Sequence, residues 1–542
     1  MKLNRFTYVL MAGLAFAACS DIDEVQPQGG TLLATQVQEA NNAAPSRVNA
    51  TFNGMFTLLG EPLSIGFSSN RPDNFGFIMM AISNDLEAAD IPTANNNYNW
   101  FSPCMEWSTR NGDYANPYIR YAVPYNEIAA ANDVIKALPA DSEDPDILAR
   151  IAQAKAIRAF SYLNLAPYFQ YNYQVAPDAP CVPLVTEETT DFTNNPRATV
   201  KAVYDQIIAD LNYAVEKLEG YTRPDKSRID QQVAYGLRAR AYLDMGMYAE
   251  AAADADKAMA GYTPATMEEV SEPFLYDINE HNWMWGYDMT TGIAETFPFA
   301  TSSAWIRSFS EYSYSAGTQT YFCINNILYD KIPDTDVRKG WWVDTNLESP
   351  LLDHVEWDGY TGAAVSTYEN DDKMVFLPYT NVKFGMVKYG GDTNEEDWPF
   401  MRVEEMILIK AEGLAKTSGK EEEGRKVLED FVKTYRDPDY NSLASGRSLA
   451  DEIWYQRRVE LWGEGFANSD VRRLNKPVVR FHADKESNFP EAYRFNVAPD
   501  DPWMLMRFCT AEKNTNLAIV DNEGGNIPVQ DQNPTLRDGV TD

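Results

Sequence analysis

The chain contains two long blocks in which apolar residues recur at spacings of three and four, the pattern of a helix with one buried face. In the first block, residues 150–170 carry such a face, which ends near Pro167 because proline has no backbone N–H to donate. Residues 199–218 carry a second face and begin at Thr199, which can cap the first turn of a helix. The pattern therefore predicts two successive helices, each with a buried face.

A helix pair follows these two helices. Residues 232–262 predict two helices separated at Met245 and Gly246, and small residues stand where the pair must approach closely. These small residues are Ala234, Ala241, Ala251 and Ala258. The spacing resembles a tetratricopeptide repeat, and since one such pair cannot bury its own apolar face, it requires stacked neighbours. The second block, 402–436, again predicts a helix, a glycine-containing turn and a helix.

The region between the two blocks has a different character. From about 264 to 399, glycine, proline, asparagine, threonine and aromatic residues are frequent, and no long helical period is present. We predict a mainly α fold, in which tetratricopeptide-like helix pairs form a scaffold and this loop-rich insertion forms the ligand face. The predicted boundaries are 43–263 for the N-terminal scaffold, 264–399 for the insertion, and 400–542 for the C-terminal helical block with its irregular tail.

The N-terminus has the features of an export signal followed by a lipid anchor. Two basic residues precede an apolar run that is shorter than the roughly 20 residues of a membrane-spanning helix. Small residues then precede Cys19, and acidic residues follow it. We predict a signal peptide over 1–18, lipidation of Cys19 with acyl chains such as palmitate, and a flexible tether over 19–42. The alternative is an ordinary secreted protein cut near Ala18.

Composition excludes several classes of function. Of the 542 residues, 80 are acidic and 46 are basic, and the net charge of −34 repels the phosphates of nucleic acids and anionic lipid surfaces. The 3 histidines are far apart, and the cysteines after Cys19 have no paired spacing. We therefore expect no metal site, no cofactor and no histidine-based catalytic triad. Either buried free thiols or one disulfide would fit the remaining cysteines, Cys104, Cys181, Cys323 and Cys509.

Several motifs follow one another in a specific order. The first is FNGMF at 52–56 and the last is QRRVELWGEGFANSDVRR at 456–473. Between them stand RAFSYLNLAPYF, YDQIIADLNYAVEKL, AYGLRARAYLDMGMYAEA and RVEEMILIKAEGLA. This order resembles the SusD/RagB family of outer-membrane nutrient-binding lipoproteins of Bacteroidota, over nearly the entire mature chain.

The resemblance implies a function. It implies a lipid-anchored, cell-surface protein of the outer membrane that binds a nutrient and delivers it to a SusC-like, TonB-dependent transporter, without catalysis. It also implies that the helices face the transporter and that the loops hold the ligand. An oligosaccharide is the expected ligand, and peptides or protein fragments are the alternative that the resemblance to RagB allows.

Two aromatic-rich loop regions form the predicted ligand-binding surface. The apolar face of a sugar ring stacks on aromatic rings, and nearby polar side chains bind its hydroxyl groups. The predicted ligand-contacting residues are Tyr98, Trp100, Trp107, Trp283, Trp285, Trp305, Tyr312 and Tyr314. Because aromatic residues also build the core of a loop-rich region, we expect more than half of those in the two loops to be buried. Trp100, Trp305, Tyr312 and Tyr314 have Asn or Ser neighbours and are the best candidates for exposure.

The last motif contains acids at helical spacing. Arg457 with Glu460, and Asp470 with Arg473, stand three apart and can form ion pairs. Glu460 and Glu464 stand four apart as two carboxylates on one face. A glycosidase needs two carboxylates that face each other across a cleft, so a lipid-anchored glycoside hydrolase is an alternative function. In so acidic a chain we prefer a structural ion network for these residues. A pure interaction scaffold is the third class of function that the sequence allows.

Overall fold

The structure of the protein is a computed structural model that describes residues 46–62, 73–93, 100–296, 306–307, 321–357, 359–367, 376–384 and 395–542. Its contacts divide the chain into two units, Met1–Thr51 and Phe52–Asp542. The predicted signal peptide, Cys19 and the tether lie outside the described residues. Apart from the start of helix α1 (Ser46–Thr57), all the described helices and strands lie in the second unit.

Helices dominate the described part of the chain, which confirms the predicted mainly α fold. The longer helices are α1 Ser46–Thr57, α2 Gly76–Glu87, α4 Ala115–Ala137, α5 Pro145–Phe169, α6 Val200–Lys217, α7 Gln231–Met245, α8 Tyr248–Ala258, α12 Val403–Lys416, α13 Glu421–Tyr435 and α14 Leu449–Glu460. The shorter ones are α3 Ser102–Glu106, α9 Thr291–Thr296, α10 Asn326–Tyr329, α11 Ala363–Ser366, α15 Ala467–Arg473 and α16 Thr510–Thr515.

The strands are short and pair only in twos within the described ranges, β1 with β2, β3 with β6, β4 with β5 and β7 with β8, all antiparallel. Their bounds are β1 Pro180–Pro183, β2 Arg197–Thr199, β3 Trp283–Tyr287, β4 Glu356–Trp357, β5 Tyr360–Thr361, β6 Trp398–Arg402, β7 Val478–Val479 and β8 Asn496–Val497. The strands β3 and β6 join the beginning of the predicted insertion to its end.

Local capping signals determine where the scaffold helices begin. The Thr199 hydroxyl accepts a hydrogen bond from the Ala202 nitrogen, as predicted for the start of α6. Helix α5 begins earlier than predicted because the carboxylate of Asp144 caps its first turn, with a proline next to it. It also continues past Pro167 to Phe169, since the hydrogen bond that this proline lacks falls in the last turn.

The predicted helix pairs form a stack. Helices α7 and α8 are separated at Gly246, whose φ of 75° ends α7 in the left-handed region. Helix α6 packs on α5 and α7, α8 packs on α12, and α12 packs on α13 and α14. A Cβ atom at Gly413 would lie 2.5 Å from the carbonyl oxygen of Tyr248, so α12 and α8 approach too closely for a larger residue. The four alanines predicted at helix contacts, Ala234, Ala241, Ala251 and Ala258, are fully buried.

Candidate functional site

Three of the predicted ligand-contacting tryptophans are core residues. Trp107, Trp283 and Trp285 are at most 1% exposed. The indole N–H of Trp107 donates to the carbonyl of Glu87 at 2.9 Å, and that of Trp285 donates to the carbonyl of Ser227 at 3.2 Å. A ring that protein atoms cover on both faces cannot stack on a sugar. These three residues are therefore reassigned from ligand contacts to the core.

The packing of Trp285 explains its burial. All five residues of strand β3 are buried, so neither of its faces reaches solvent, and β3 pairs with β6 along one edge. The Trp285 ring packs edge-on against Phe160 of α5 and lies tilted against Phe400 of β6, with ring centroids 4.9 Å apart in both cases. The tryptophan-rich start of the insertion thus joins the insertion to the scaffold.

Of the five other predicted aromatic residues, the structure describes only Trp100. Trp100 is partly buried and packs against the core, next to the buried Phe101. The other four, Tyr98, Trp305, Tyr312 and Tyr314, lie outside the described residues, and their role in ligand binding stays a prediction. Cys19 also lies outside them.

The described residues that flank the segments containing these four aromatic residues contact one another. Thr93 pairs with Phe322, and Cys323 pairs with Thr380, both as antiparallel bridges. The side-chain amide of Asn381 donates to the carbonyls of Ile306 and Phe322, at 3.0 Å each. We call residues 92–93, 306, 321–324 and 379–381 the bridge framework. It brings together the chain before Tyr98, the residue after Trp305, and the chain after Tyr314.

A buried lysine that follows the bridge framework in the chain connects this region to the C-terminal block by hydrogen bonds. The ammonium group of Lys383 donates to the carbonyls of Glu460 and Trp462, at 2.9 and 2.8 Å, and to the carboxylate of Glu464 at 2.7 Å. Burial lowers the pKa of Lys383 to about 8, although the Glu464 carboxylate offsets part of that effect. Lys383 was not predicted as a functional residue. The sequence feature that could have indicated it is a lone lysine between two apolar residues, Val382 and Phe384.

The acids of the last motif are held by buried cations. Glu460 pairs with Arg338, Arg402 and Arg436 at 3.2, 3.4 and 2.8 Å, and Glu464 pairs with Arg402 at 2.7 Å. Burial alone would raise the pKa of both carboxyl groups, but the neighbouring cations lower it below its usual value. A general acid needs a raised pKa and a face open to substrate. The structure therefore supports the ion network rather than a catalytic pair.

One predicted ion pair within this motif is replaced by another. Asp470 and Arg473 pair at 2.7 Å as predicted. Arg457 does not pair with Glu460, and instead contacts Asp470 at 2.9 Å. Helix α14 ends at Glu460 and α15 turns back beside it, so the partner of Arg457 comes from the next helix.

Histidines and cysteines form no metal site in the described ranges, where no group of three or more His, Cys, Asp or Glu residues could hold an ion. His281 and His354 form exposed pairs with Glu269 and Glu272, at 3.0 and 3.5 Å. The cysteines after position 19, Cys104, Cys181, Cys323 and Cys509, are free and buried, one of the two predicted outcomes.

Comparisons with known proteins agree on one family. A family model described as "Starch-binding associating with outer membrane" matches residues 80–243, and a second model, described as "SusD family", matches residues 331–524. Among curated proteins, none is similar enough to count as a match. No helix within the described ranges is long and apolar enough to cross a membrane.

Solved structures share the fold over nearly their whole length. A SusD-like carbohydrate binding protein from Bacteroides vulgatus is 24% identical, with a TM-score of 0.68 over 88% of this chain and 97% of that one. A SusD superfamily protein from Bacteroides thetaiotaomicron is 19% identical, with a TM-score of 0.67 over 88% and 99% of the two chains. A laminarin-binding SusD-like protein is 17% identical, with a TM-score of 0.56 over 88% and 99%.

Proposed function

The chain belongs to the SusD family, and from this premise we propose that it is a cell-surface lipoprotein that binds an oligosaccharide and passes it to a SusC-like, TonB-dependent transporter. It catalyses no reaction in this proposal. The similar solved protein that binds laminarin supports a glycan as the class of ligand. The alternative ligand, a peptide, is one outcome of the test below.

The observation that carries this proposal is the bridge framework. It gathers the described ends of the segments that hold Tyr98, Trp305, Tyr312 and Tyr314, and Lys383 ties it to the last motif through buried hydrogen bonds. The four predicted aromatic residues thus belong to stretches of chain whose described ends lie together, and aromatic rings are suited to stacking against sugar rings.

Among the described residues, the carboxylates of the last motif and of Asp85 already have partners. Glu460 and Glu464 each bind buried cations, and Asp85 accepts backbone hydrogen bonds from Gly465 and Ala467. A retaining or inverting glycosidase needs one carboxylic acid that can donate its proton across a cleft. These contacts favour binding without turnover.

Titration calorimetry of the mature chain with a glycan panel tests the ligand class. The panel contains laminarin oligosaccharides, starch oligosaccharides and a mixed peptide pool. We expect one glycan to bind, and we expect Trp305→Ala, Tyr312→Ala and Tyr314→Ala each to weaken that binding about tenfold, which corresponds to ~1.4 kcal/mol. The matched control is Phe192→Ala, which removes an aromatic ring that is 57% exposed on a loop of the scaffold and should leave affinity unchanged.

Other results would overturn the proposal in distinct ways. Binding of the peptide pool alone would change the ligand class. Release of shorter sugars by the pure protein would assign an enzyme. Equal loss of glycan affinity in Phe192→Ala and Trp305→Ala would contradict the prediction that these aromatic residues form the ligand-binding surface.

The anchor is tested separately in intact cells. Cys19→Ala should move the protein from the membrane fraction to the soluble fraction, because acyl chains contribute about 0.8 kcal/mol per buried methylene to membrane binding. Glycan affinity of the purified variant should not change. A Cys19→Ala protein that remains in the membrane fraction would contradict the lipid anchor and leave the ligand-binding proposal intact.

A further inference from the structure

The helical scaffold contains a cleft that the proposed function does not use. Two adjoining cavities, with empty space of about 460 and 560 Å³, share lining residues from α5, α15 and the end of α7. The shared residues are Leu163, Asp244, Ser469 and Arg473.

A buried arginine without an acidic partner lines this cleft. Arg472 of α15 is 8% exposed, and its guanidinium donates to the backbone carbonyl of Met504. In the part of the chain that the structure describes, no carboxylate forms an ion pair with it, and its Nε atom has no hydrogen-bond acceptor. Most buried arginines of this protein pair with carboxylates, as Arg458 does with Asp90 and Asp538. Arg472 therefore differs from them in lacking an acidic partner, while its unpaired Nε is a feature that it shares with Arg110 and Arg120.

The surroundings of Arg472 add to the local positive charge. Arg110 donates to the same Met504 carbonyl at 3.0 Å and pairs with Glu87 at 2.9 Å. Burial, together with the nearby Arg110, lowers the pKa of Arg472 to about 10, which still leaves it charged at neutral pH. Glu87 offsets part of this positive charge, but it pairs with Arg110, so an anion in the cleft would supply Arg472 with a direct partner.

The remainder of the cleft wall is largely apolar. Leu163, Ala166, Pro167 and Val200 line it, so a ligand bound at Arg472 would lie beside hydrocarbon. Asp244 lines both cavities and accepts a hydrogen bond from the Tyr204 hydroxyl at 3.0 Å. Two further carboxylates line the second cavity and are already paired, Glu405 with Arg240 and Asp470 with Arg457 and Arg473. The wall thus favours a ligand with one anionic end and an apolar body.

We propose that this cleft is a second binding site, for a small aliphatic carboxylate whose anionic group pairs with the guanidinium of Arg472 and whose hydrocarbon body packs on Leu163 and Val200. The site is independent of the glycan surface proposed above. Charge-assisted, two-point hydrogen bonding between a guanidinium and a carboxylate supplies the orientation, and burial of the hydrocarbon supplies most of the remaining affinity.

Titrations of the mature chain with matched probes, followed by saturation-transfer NMR, test this site. We expect 4-methylpentanoate to bind in the roughly millimolar range, and 4-methylpentanamide and acetate to bind at least tenfold more weakly. The amide has the same body without the charge, and acetate has the charge without the body. Equal binding of the acid and the amide, or no binding of the acid, would overturn the proposal.

Three variants locate the bound probe. Arg472→Met should weaken binding of 4-methylpentanoate at least tenfold, and Leu163→Trp should do so by filling the cleft while keeping Arg472. Arg507→Met is the matched control, because Arg507 is also 8% exposed and bonds to backbone carbonyls but does not line the cleft. If Arg472→Met fails to fold, Leu163→Trp still decides the question. Unchanged binding in Leu163→Trp, or an equal loss in Arg507→Met, would contradict a site at this cleft.

Discussion

Asp85 caps the helix that begins at Ala467, although 382 residues separate them in the chain: its carboxylate accepts a hydrogen bond from the Ala467 nitrogen at 2.8 Å. The same carboxylate accepts from the Gly465 nitrogen at 2.9 Å. Phe466, the residue before α15, makes no capping hydrogen bond with its side chain, so the cap comes from Asp85 of α2. The last motif is thereby fixed to the N-terminal part of the scaffold. Asp85 therefore has a structural role in this contact.

The first prediction concerns this cap. Asp85→Ala leaves two partly buried backbone N–H groups without an acceptor and should lower the free energy of unfolding by about 1–3 kcal/mol. Asp85→Asn keeps an acceptor oxygen for one of the two N–H groups and should cost less than Asp85→Ala. Urea denaturation at pH 7 measures both. Equal losses in the two variants would show that the hydrogen bonds to α15 do not matter for stability.

A second prediction concerns the carboxylate at the centre of the ion network. Glu460→Gln removes the shared partner of Arg338, Arg402 and Arg436, which are all buried. Because it removes one negative charge from among three buried cations, which keep only Asp336, Glu404 and Glu464 as partners, we expect a loss of about 3–5 kcal/mol in the free energy of unfolding. Glu423→Gln is the control, since its pair with Lys420 is exposed and should contribute under about 1 kcal/mol. Comparable losses in both variants would contradict the structural role of the network.

The ion network also predicts how stability depends on acid. The pKa of Glu460, Glu464 and Glu412 is lowered in the folded state, because arginine and lysine neighbours more than offset the effect of burial. A lowered folded pKa gives stability that is complete above the unfolded value of about 4.5 and is lost as pH falls towards the folded value. Thermal melting between pH 7 and pH 3 should show a steep decline below about pH 4.5. A flat profile in that range would contradict the shifts.

The helices that the sequence predicts well are those with both a periodic apolar face and a chemical signal at an end. Thr199 marks the start of α6, and Gly246 marks the end of α7. Helix α4 was not predicted, although it is one of the longest. Its buried residues include Arg120 and Glu127, which interrupt the apolar period that sequence reasoning relies on.

The candidate site was harder to predict than the fold. An aromatic-rich, loop-like segment has the same composition whether its rings face a ligand or the core. The Trp285 ring is buried because it packs against Phe160 of α5 and Phe400 of β6, and the pairing of β3 with β6 joins residues more than 100 positions apart. The sequence contains no local signal for such a contact. Lys383 was missed for a similar reason, since its acceptors lie near position 460.

A further prediction separates core tryptophans from surface ones. Trp285→Ala should lower the free energy of unfolding by about 3–5 kcal/mol, because it leaves a large cavity between α5 and β6. Trp100→Ala should cost less than half of that, since Trp100 is partly buried at the edge of the core. Thermal melting without ligand measures both. If Trp285→Ala melts like the wild-type protein, its assignment to the core is wrong.

The last prediction concerns a buried acid on α4. Glu127 is 1% exposed, and neither carboxyl oxygen has a hydrogen-bond partner among the described residues. Burial raises its pKa well above the usual 4.5. A raised folded pKa means that the stability this group contributes is complete below about pH 4.5 and is lost as pH rises towards the folded value, at up to about 1.4 kcal/mol per pH unit. Glu127→Gln cannot ionise and escapes this loss.

The stability of Glu127→Gln relative to the wild type should therefore increase from pH 4.5 to pH 8. Urea denaturation at several pH values gives this difference directly, and it cancels the opposite trend of Glu460 and Glu464, which both proteins share. Glu219→Gln, at an exposed position, is the control and should show no such increase. A difference that stays constant with pH in Glu127→Gln would mean that Glu127 is as easily ionised in the folded protein as in the unfolded chain.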